Sequence, residues 1–235
     1  MSTIEIVFFD AGETILHPHP SFPELFARTC RESGHVVDAD LVGEIQERLA
    51  PHLVELATES GMSEPSLSEE ASLRFWSHLY RRLLAELGIE DEGMIAELYR
   101  VFSDSRSYKL FGDAAPALRQ LDEEGYRLSL ISNFEGWLEK MLVELEVGDV
   151  FDVSVISGLA GVEKPDRRIY EIALERAEVD PSRAVHVGDS PKMDAEPAEA
   201  VGMRPILLDR RDRYPDSPYP RIASLEELSS LLKKQ

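Results

Sequence analysis

Five residues in this chain are of the types and spacing that chemistry needs: Asp10, Ser132, Lys164, Asp189 and Asp194. Asp10 interrupts IVFFDAGETI, where four apolar residues run straight into a carboxylate and a glycine-containing turn closed by Thr14. Ser132 and Asn133 end YRLSLISN, Lys164 sits in GVEKPD, and Asp189 ends AVHVGD with Asp194 shortly after it. Carboxylates gathered in one crevice repel each other, and burial makes their ionisation costlier still. A divalent cation resolves both problems, and Mg²⁺ suits such a set because it takes oxygen ligands only, completed by waters and phosphate oxygens. With Lys164 it would give a phosphate a positive place to land. Asp10 could then attack phosphorus as a nucleophile, with Ser132, Lys164 and backbone N–H groups holding the equatorial oxygens.

For that chemistry to occur, these residues must be brought together by the elements that carry them. Residues 4–9, IEIVFF, read as a first strand. From about 21 to 106 the pattern is almost wholly helical, with Ser21/Glu24 and Ser66/Glu69 spaced as capping boxes. A helix around 40–59 contains Pro51, which should kink or split it. Phe75, Trp76 and Tyr80 fall at helical spacing as core of this region. After Leu110 the pattern alternates: helix APALRQLDEEG, strand YRLSLIS, helix GWLEKMLVEL, strand VSVIS, helix RRIYEIALERA, strand AVHVGD, helix PKMDAEPAEAVG, strand RPILLD and helix LEELSSLLKK. Regular alternation of this kind implies a parallel sheet flanked by helices. The expected fold is therefore α/β, a Rossmann-like core of residues 1–16 and 107–235 with a helical domain of residues 17–106 inserted after the first strand. Open sheets of this kind bind ligands outside the carboxyl ends of their strands. Each site residue falls at such an end or in the loop or turn that follows it.

Taken singly, each residue also has an ordinary structural reading, since aspartates cap helices and most lysines are solvated. It is their order that points to one shared site. A phospho-receiver domain unites similar groups, but in roughly half this length and without a helical insert.

Composition narrows the partners. The formal net charge of −20 and the absence of any Lys/Arg cluster repel polyanions, which argues against nucleic acid and acidic membrane surfaces. No apolar run approaches the roughly 18 residues of a membrane span, and the N-terminus lacks signal-peptide character. The single cysteine, Cys30, forms no intrachain disulfide and reads as a small buried hydrophobe. A cytoplasmic location is expected. Oligomeric state is not written in these features.

The four segments together resemble the haloacid dehalogenase (HAD) superfamily of hydrolases, in the branch with a helical cap after the first strand. FFDAGETI matches the first motif, SLISN the second, EKPDRRIYEIAL the third and HVGDSPKMDAEPAEAVGM the fourth. The resemblance implies a Mg²⁺-dependent phosphatase that acts on a small phosphorylated metabolite through an aspartyl-phosphate on Asp10. It implies catalytic roles for Asp10, Ser132 and Lys164, and substrate binding by Ser132, Asn133 and Lys164. It places the metal on Asp10, Asp189, Asp194 and the backbone carbonyl of Gly12.

Gly12 is also where the pattern breaks. Phosphatases of the superfamily carry a second aspartate at that position, which protonates the leaving alkoxide and deprotonates the attacking water. Such help is worth roughly 10²–10⁴ in rate. Three readings follow. The chain is a phosphatase that favours good leaving groups, or uses water or Glu13 as the acid; it does dehalogenase- or phosphonatase-type chemistry; or it binds phosphate without turnover. The family's dehalogenases carry an aromatic residue at this position, and its phosphonatases depend on a cap lysine. Here there is no such aromatic, and Lys109 is the only lysine between the first strand and Ser132. The first reading leads. His17 and His19, in HPHP, are expected to form a rigid connector.

Overall fold

Four consecutive apolar residues form strand β1 (Ile6–Phe9), and all four are buried. A strand apolar on both faces belongs in the interior of a parallel sheet covered on both sides, and β1 sits there. The computed structural model describes residues 3–61 and 64–233. Within it the chain divides into two compact units, Met1–Leu16 with Leu110–Gln235, and His17–Lys109.

The second unit is reached and left through two short strands that pair with each other, β2 (Leu16–Pro18) and β3 (Tyr108–Leu110). Between them lie α1 (Phe22–Glu32), α2 (Ala39–Leu49), α3 (Leu53–Glu59), α4 (Glu69–Glu86) and α5 (Glu92–Phe102). A 3₁₀ turn at Ala50–His52 separates α2 from α3, as expected where Pro51 lacks the N–H an α-helix needs. Ser21 caps α1 as its spacing predicts. The second expected cap is displaced: Ser68, not Ser66, accepts the Ala71 N–H at 3.1 Å. That start puts Glu69 and Glu70 in the first turn, where the helix dipole favours negative charge. Leu25, Phe26, Tyr80, Leu83, Leu98 and Phe102 are among this unit's core residues, with Phe75 buried and Trp76 packed at its edge. Cys30 is buried, and desolvation pushes its thiol up to about 11. It is a packing residue. Arg81 and Arg82 are exposed and paired with Glu92 and Glu86.

The first unit continues with α6 (Ala114–Glu123), β4 (Arg127–Ser132), α7 (Leu138–Glu144), β5 (Val153–Ile156), α8 (Ser157–Ala160), α9 (Arg167–Ala177) and β6 (Ala184–Gly188). It ends with α10 (Glu196–Ala200), β7 (Arg204–Leu208), β8 (Arg221–Ile222) and α11 (Leu228–Leu232). The expected last helix is thus broken into a 3₁₀ turn and α11, and Lys234 lies outside the described residues. The sheet runs β5-β4-β1-β6-β7-β8 with every pair parallel. Ile6 and Phe8 pack with Ile169, Tyr170 and Ala173 of α9 and with Ala198 of α10. Strand alternation turns Val7 and Phe9 to the opposite face. Each of these buried side chains is worth roughly 1.5–3 kcal/mol, so the mount for the next residue, Asp10, is rigid. No described helix is long and apolar enough to cross a membrane.

Candidate active site

Register brings the strand ends level. Phe9 pairs with Leu130 on one side and Val187 on the other, and the Asp10 N–H donates to the Val187 carbonyl at 2.9 Å. Asp10, the end of β4 and the end of β6 therefore open on the same edge of the sheet, on either side of its central strand. That edge is where a parallel sheet presents a ligand crevice.

Asp10 is buried and held by three donors. Its Oδ1 accepts Lys164 Nζ at 2.7 Å and Ser132 Oγ at 3.1 Å, and its Oδ2 accepts the Thr14 hydroxyl at 3.3 Å. Lys164 Nζ also donates to Asp194 Oδ1 at 2.7 Å. Burial alone would discharge this ammonium, but the Asp10 and Asp194 carboxylates outweigh it and hold Lys164 above its ordinary range. Lys164 is itself aimed by Asn133, whose Nδ2 donates to the Lys164 carbonyl at 2.8 Å and whose Oδ1 accepts its N–H at 2.6 Å. The Asn133 amide thus orients the lysine.

Asp194 lies in a single π-type turn, Pro191–Ala195, that replaces the start of the helix expected there. Its Oδ2 accepts the Ser190 N–H at 3.0 Å, and its Oδ1 meets His186 Nε2 at 3.0 Å. Burial raises its pKa, but Lys164 and His186 more than reverse this and hold it well below the usual carboxylate range. The turn brings Asp194 so close to β6 that a Cβ on Gly188 would fall 2.2 Å from the Asp194 carboxyl carbon. Only glycine fits there.

Asp189 is different. It is half-buried, and among the described residues no hydrogen bond reaches it. Burial, with the Asp194, Asp10 and Glu13 carboxylates around it, pushes it well above the ordinary range. Asp10 is raised as well, first by burial and then by Asp194, with Lys164 working against both. Asp10, Asp189 and Asp194 each bring one oxygen to within 4.8 Å of the other two. Uncompensated negative charge among oxygen-only donors is what a divalent cation such as Mg²⁺ fits. Among the described residues nothing donates to the Gly12 carbonyl either.

At Gly12 the backbone is not left-handed, and an added Cβ would meet nothing within 4 Å. Its neighbour Glu13 does adopt the left-handed region, with φ 57°, unusual for a residue with a side chain. His17 and His19 lie in the second unit, their rings 6.1 Å apart.

Two groups at this site escape sequence reasoning. Thr14 looks like the end of a turn, yet its buried hydroxyl serves Asp10. His186 sits in an otherwise apolar strand, edge-on to Tyr170 at 5.3 Å, and steadies Asp194. The one available signal for it was a polar residue inside AVHVG.

The sequence model of haloacid dehalogenase-like hydrolases matches residues 4–202. "Haloacid dehalogenase-like hydrolase domain-containing protein 3" of Bos taurus is 29% identical over 210 residues, 87% of this chain and 82% of that protein. "Glyceraldehyde 3-phosphate phosphatase" of Methanopyrus kandleri is 30% identical over 219 residues, 91% of this chain and 87% of that one. A HAD-hydrolase structure from Bacillus subtilis, bound to magnesium, is 19% identical, covers 98% of this chain and 99% of that one, and superposes with a TM-score of 0.76. The family model spans most of the chain, and the chain belongs to the haloacid dehalogenase-like hydrolases.

Proposed function

We propose that this hydrolase is a Mg²⁺-dependent phosphatase of small phosphorylated metabolites that works through an aspartyl-phosphate on Asp10. The observation that carries the reading is the Asp10 carboxylate itself: buried, fixed by Lys164, Ser132 and Thr14, and grouped with Asp189 and Asp194. The similarity to a glyceraldehyde 3-phosphate phosphatase supports a small phosphate ester as substrate.

The chain's own residues divide the work. Asp10 forms the bond to phosphorus as the ester oxygen departs, and water then attacks phosphorus, freeing Asp10 and inorganic phosphate. Ser132 and Lys164 hold the phosphoryl oxygens as charge redistributes. Asp10, Asp189, Asp194 and the Gly12 carbonyl would hold Mg²⁺, which neutralises phosphate charge when bound. Asn133 and His186 orient Lys164 and Asp194. Gly12 has no side chain to protonate the leaving group, so the proton comes from water or from Glu13, whose carboxylate lies close enough to act on Asp189. Substrates with good leaving groups should therefore turn over fastest. The helical unit, residues 17–106 by the sequence pattern, is proposed to act as the substrate-selecting cap, and the cytoplasm as the place of action.

The test is Mg²⁺-dependent phosphate release from an aryl phosphate, an acyl phosphate and several alkyl phosphates, beside an Asp10→Asn control. Activity that needs Asp10 and falls from aryl and acyl to alkyl esters supports the reading. Equal rates on all, matched for binding, would refute the leaving-group argument. The missing acid at Gly12 favours a second reading, a phosphate-binding protein without turnover. That reading leads if nothing is released while the folded protein binds Mg²⁺ with a phosphate mimic.

A further inference from the structure

The family match ends at residue 202, yet residues beyond it reach back to the turn that carries Asp10. Arg210, just after β7, donates from Nη2 to the Thr14 carbonyl at 2.9 Å. Its two Nη atoms also grip Asp113, Nη1 to Oδ2 at 2.7 Å and Nη2 to Oδ1 at 3.0 Å. The guanidinium lies 4.1 Å from the centre of the Phe111 ring, and the Phe111 N–H donates to the Ile15 carbonyl at 3.0 Å. Asp113 is anchored in turn by the Ser224 hydroxyl and the Leu225 N–H, both at 2.9 Å.

This is not a solvated surface pair. The Arg210 and Asp113 side chains are only 20% and 11% exposed. Burial would raise the Asp113 carboxyl, but Arg210, Leu225 and Ser224 hold it below its ordinary range. The Arg210 Nε is buried and finds no acceptor, a cost the grip on Asp113 and Thr14 must outweigh. Thr14 is the residue held by its carbonyl on one side and bonded to Asp10 Oδ2 by its hydroxyl on the other. A planar guanidinium can fork to a carboxylate and still reach a carbonyl; an ammonium offers only a point charge.

We propose that Arg210 is a positioning residue for Asp10: seated on Asp113, it pins the Thr14 carbonyl and so fixes the Thr14 hydroxyl against the Asp10 carboxylate. The catalytic part of this rests on Asp10 being the nucleophile. The pinning of the turn does not.

The experiment uses the full chain with Arg210→Met, Arg210→Lys and Asp113→Asn, beside Asp10→Asn. It reads thermal unfolding, amide hydrogen exchange across residues 11–16, and Mg²⁺-dependent kcat and KM on an aryl phosphate. In Arg210→Met, exchange across 11–16 rises while β4 and β5 stay protected. Its kcat per folded molecule falls by about ten- to a hundredfold, the scale of a small misplacement of a reacting group, with KM within about twofold. Arg210→Lys recovers part of both. A folded Arg210→Met with unchanged exchange across 11–16 and kcat within about twofold of wild type overturns the proposal, and leaves Arg210 a tether for the C-terminal segment. If Arg210→Met does not fold, Asp113→Asn carries the same test in the same direction, and unchanged exchange and kcat there overturn it. If the wild type shows no Asp10-dependent turnover, the phosphatase reading falls separately. Exchange across 11–16 then decides the pinning alone: raised supports it, unchanged overturns it.

Discussion

Two glycines stand beside the carboxylates of this site for opposite reasons. At the end of β6, a Cβ on Gly188 would lie 2.2 Å from the Asp194 carboxyl carbon; after β1, a Cβ on Gly12 would meet nothing within 4 Å. Gly188 is demanded by packing, because the turn bearing Asp194 closes directly onto the strand. Gly12 is demanded by nothing in its surroundings, neither by sterics nor by a left-handed backbone. The absence of an acid there is a chemical property of the chain that the fold does not force. A glycine in a motif is evidence of close approach only where a neighbour occupies the missing Cβ's place.

Substitutions at these two positions should separate accordingly. The largest effect is expected from Gly188→Ala, which must push Asp194 away from Lys164 and His186. Asp10-dependent turnover should fall to background and stability by about 1–3 kcal/mol, the usual cost of overpacking. Phosphate-release assays and denaturant unfolding check both, and a stable, active variant would break the contrast.

Next in size is Gly12→Asp. Its Cβ would meet nothing within 4 Å, and alkyl-phosphate turnover should rise by up to roughly 10²–10⁴, the range for general acid–base help. A folded, Mg²⁺-binding variant with no gain would show that the missing acid is not what limits the rate.

Smaller, and confined to the carboxylate cluster, is a proton count. Burial and its carboxylate neighbours raise Asp189 above its ordinary range. A carboxyl raised in the folded state is stabilising at low pH, and that contribution is lost as pH rises through its folded pKa. The metal-free protein should therefore weaken as pH climbs above the usual carboxylate range, while Mg²⁺ affinity climbs. Binding at a pH below that pKa should release about one proton, measurable by calorimetry in buffers of different ionisation enthalpy. No release would mean that Asp189 is already ionised without the cation.

The smallest effect is Gly12→Ala. Adding a methyl group to open space removes freedom from the unfolded chain and should leave stability unchanged or raised by about 0.4–1 kcal/mol. Denaturant unfolding checks this, and a clear loss of stability would erase the difference between the two glycines.

Much of the architecture was legible because local rules and tertiary packing agree. The IVFF run makes a strand apolar on both faces, and the alternation after Leu110 makes parallel crossovers, so the strand ends could be named before their neighbours were known. Where the rules tie, reading falters. The Ser66/Glu69 spacing suits a capping box, yet the helix starts two residues later, capped by Ser68 with Glu69 and Glu70 in its first turn. The segment after Ser190 looked helical throughout, but its first turn widens into a π-type coil that aims Asp194 at β6.

Residue types and their order along the chain determined the fold class and the chemical kinds present: acids, a hydroxyl and a lysine at the ends of successive strands. Those follow from periodicity and side-chain chemistry, which are local. The tertiary structure alone decided how they are coupled. It gave Lys164 two carboxylates, turned Asn133 to the lysine's backbone, recruited His186 to Asp194, and joined Arg210 to Thr14. These are contacts between residues far apart in sequence, or between side chains whose directions a strand or turn sets only once it is packed. No spacing rule encodes them, because they exist only where distant segments are brought within hydrogen-bond reach.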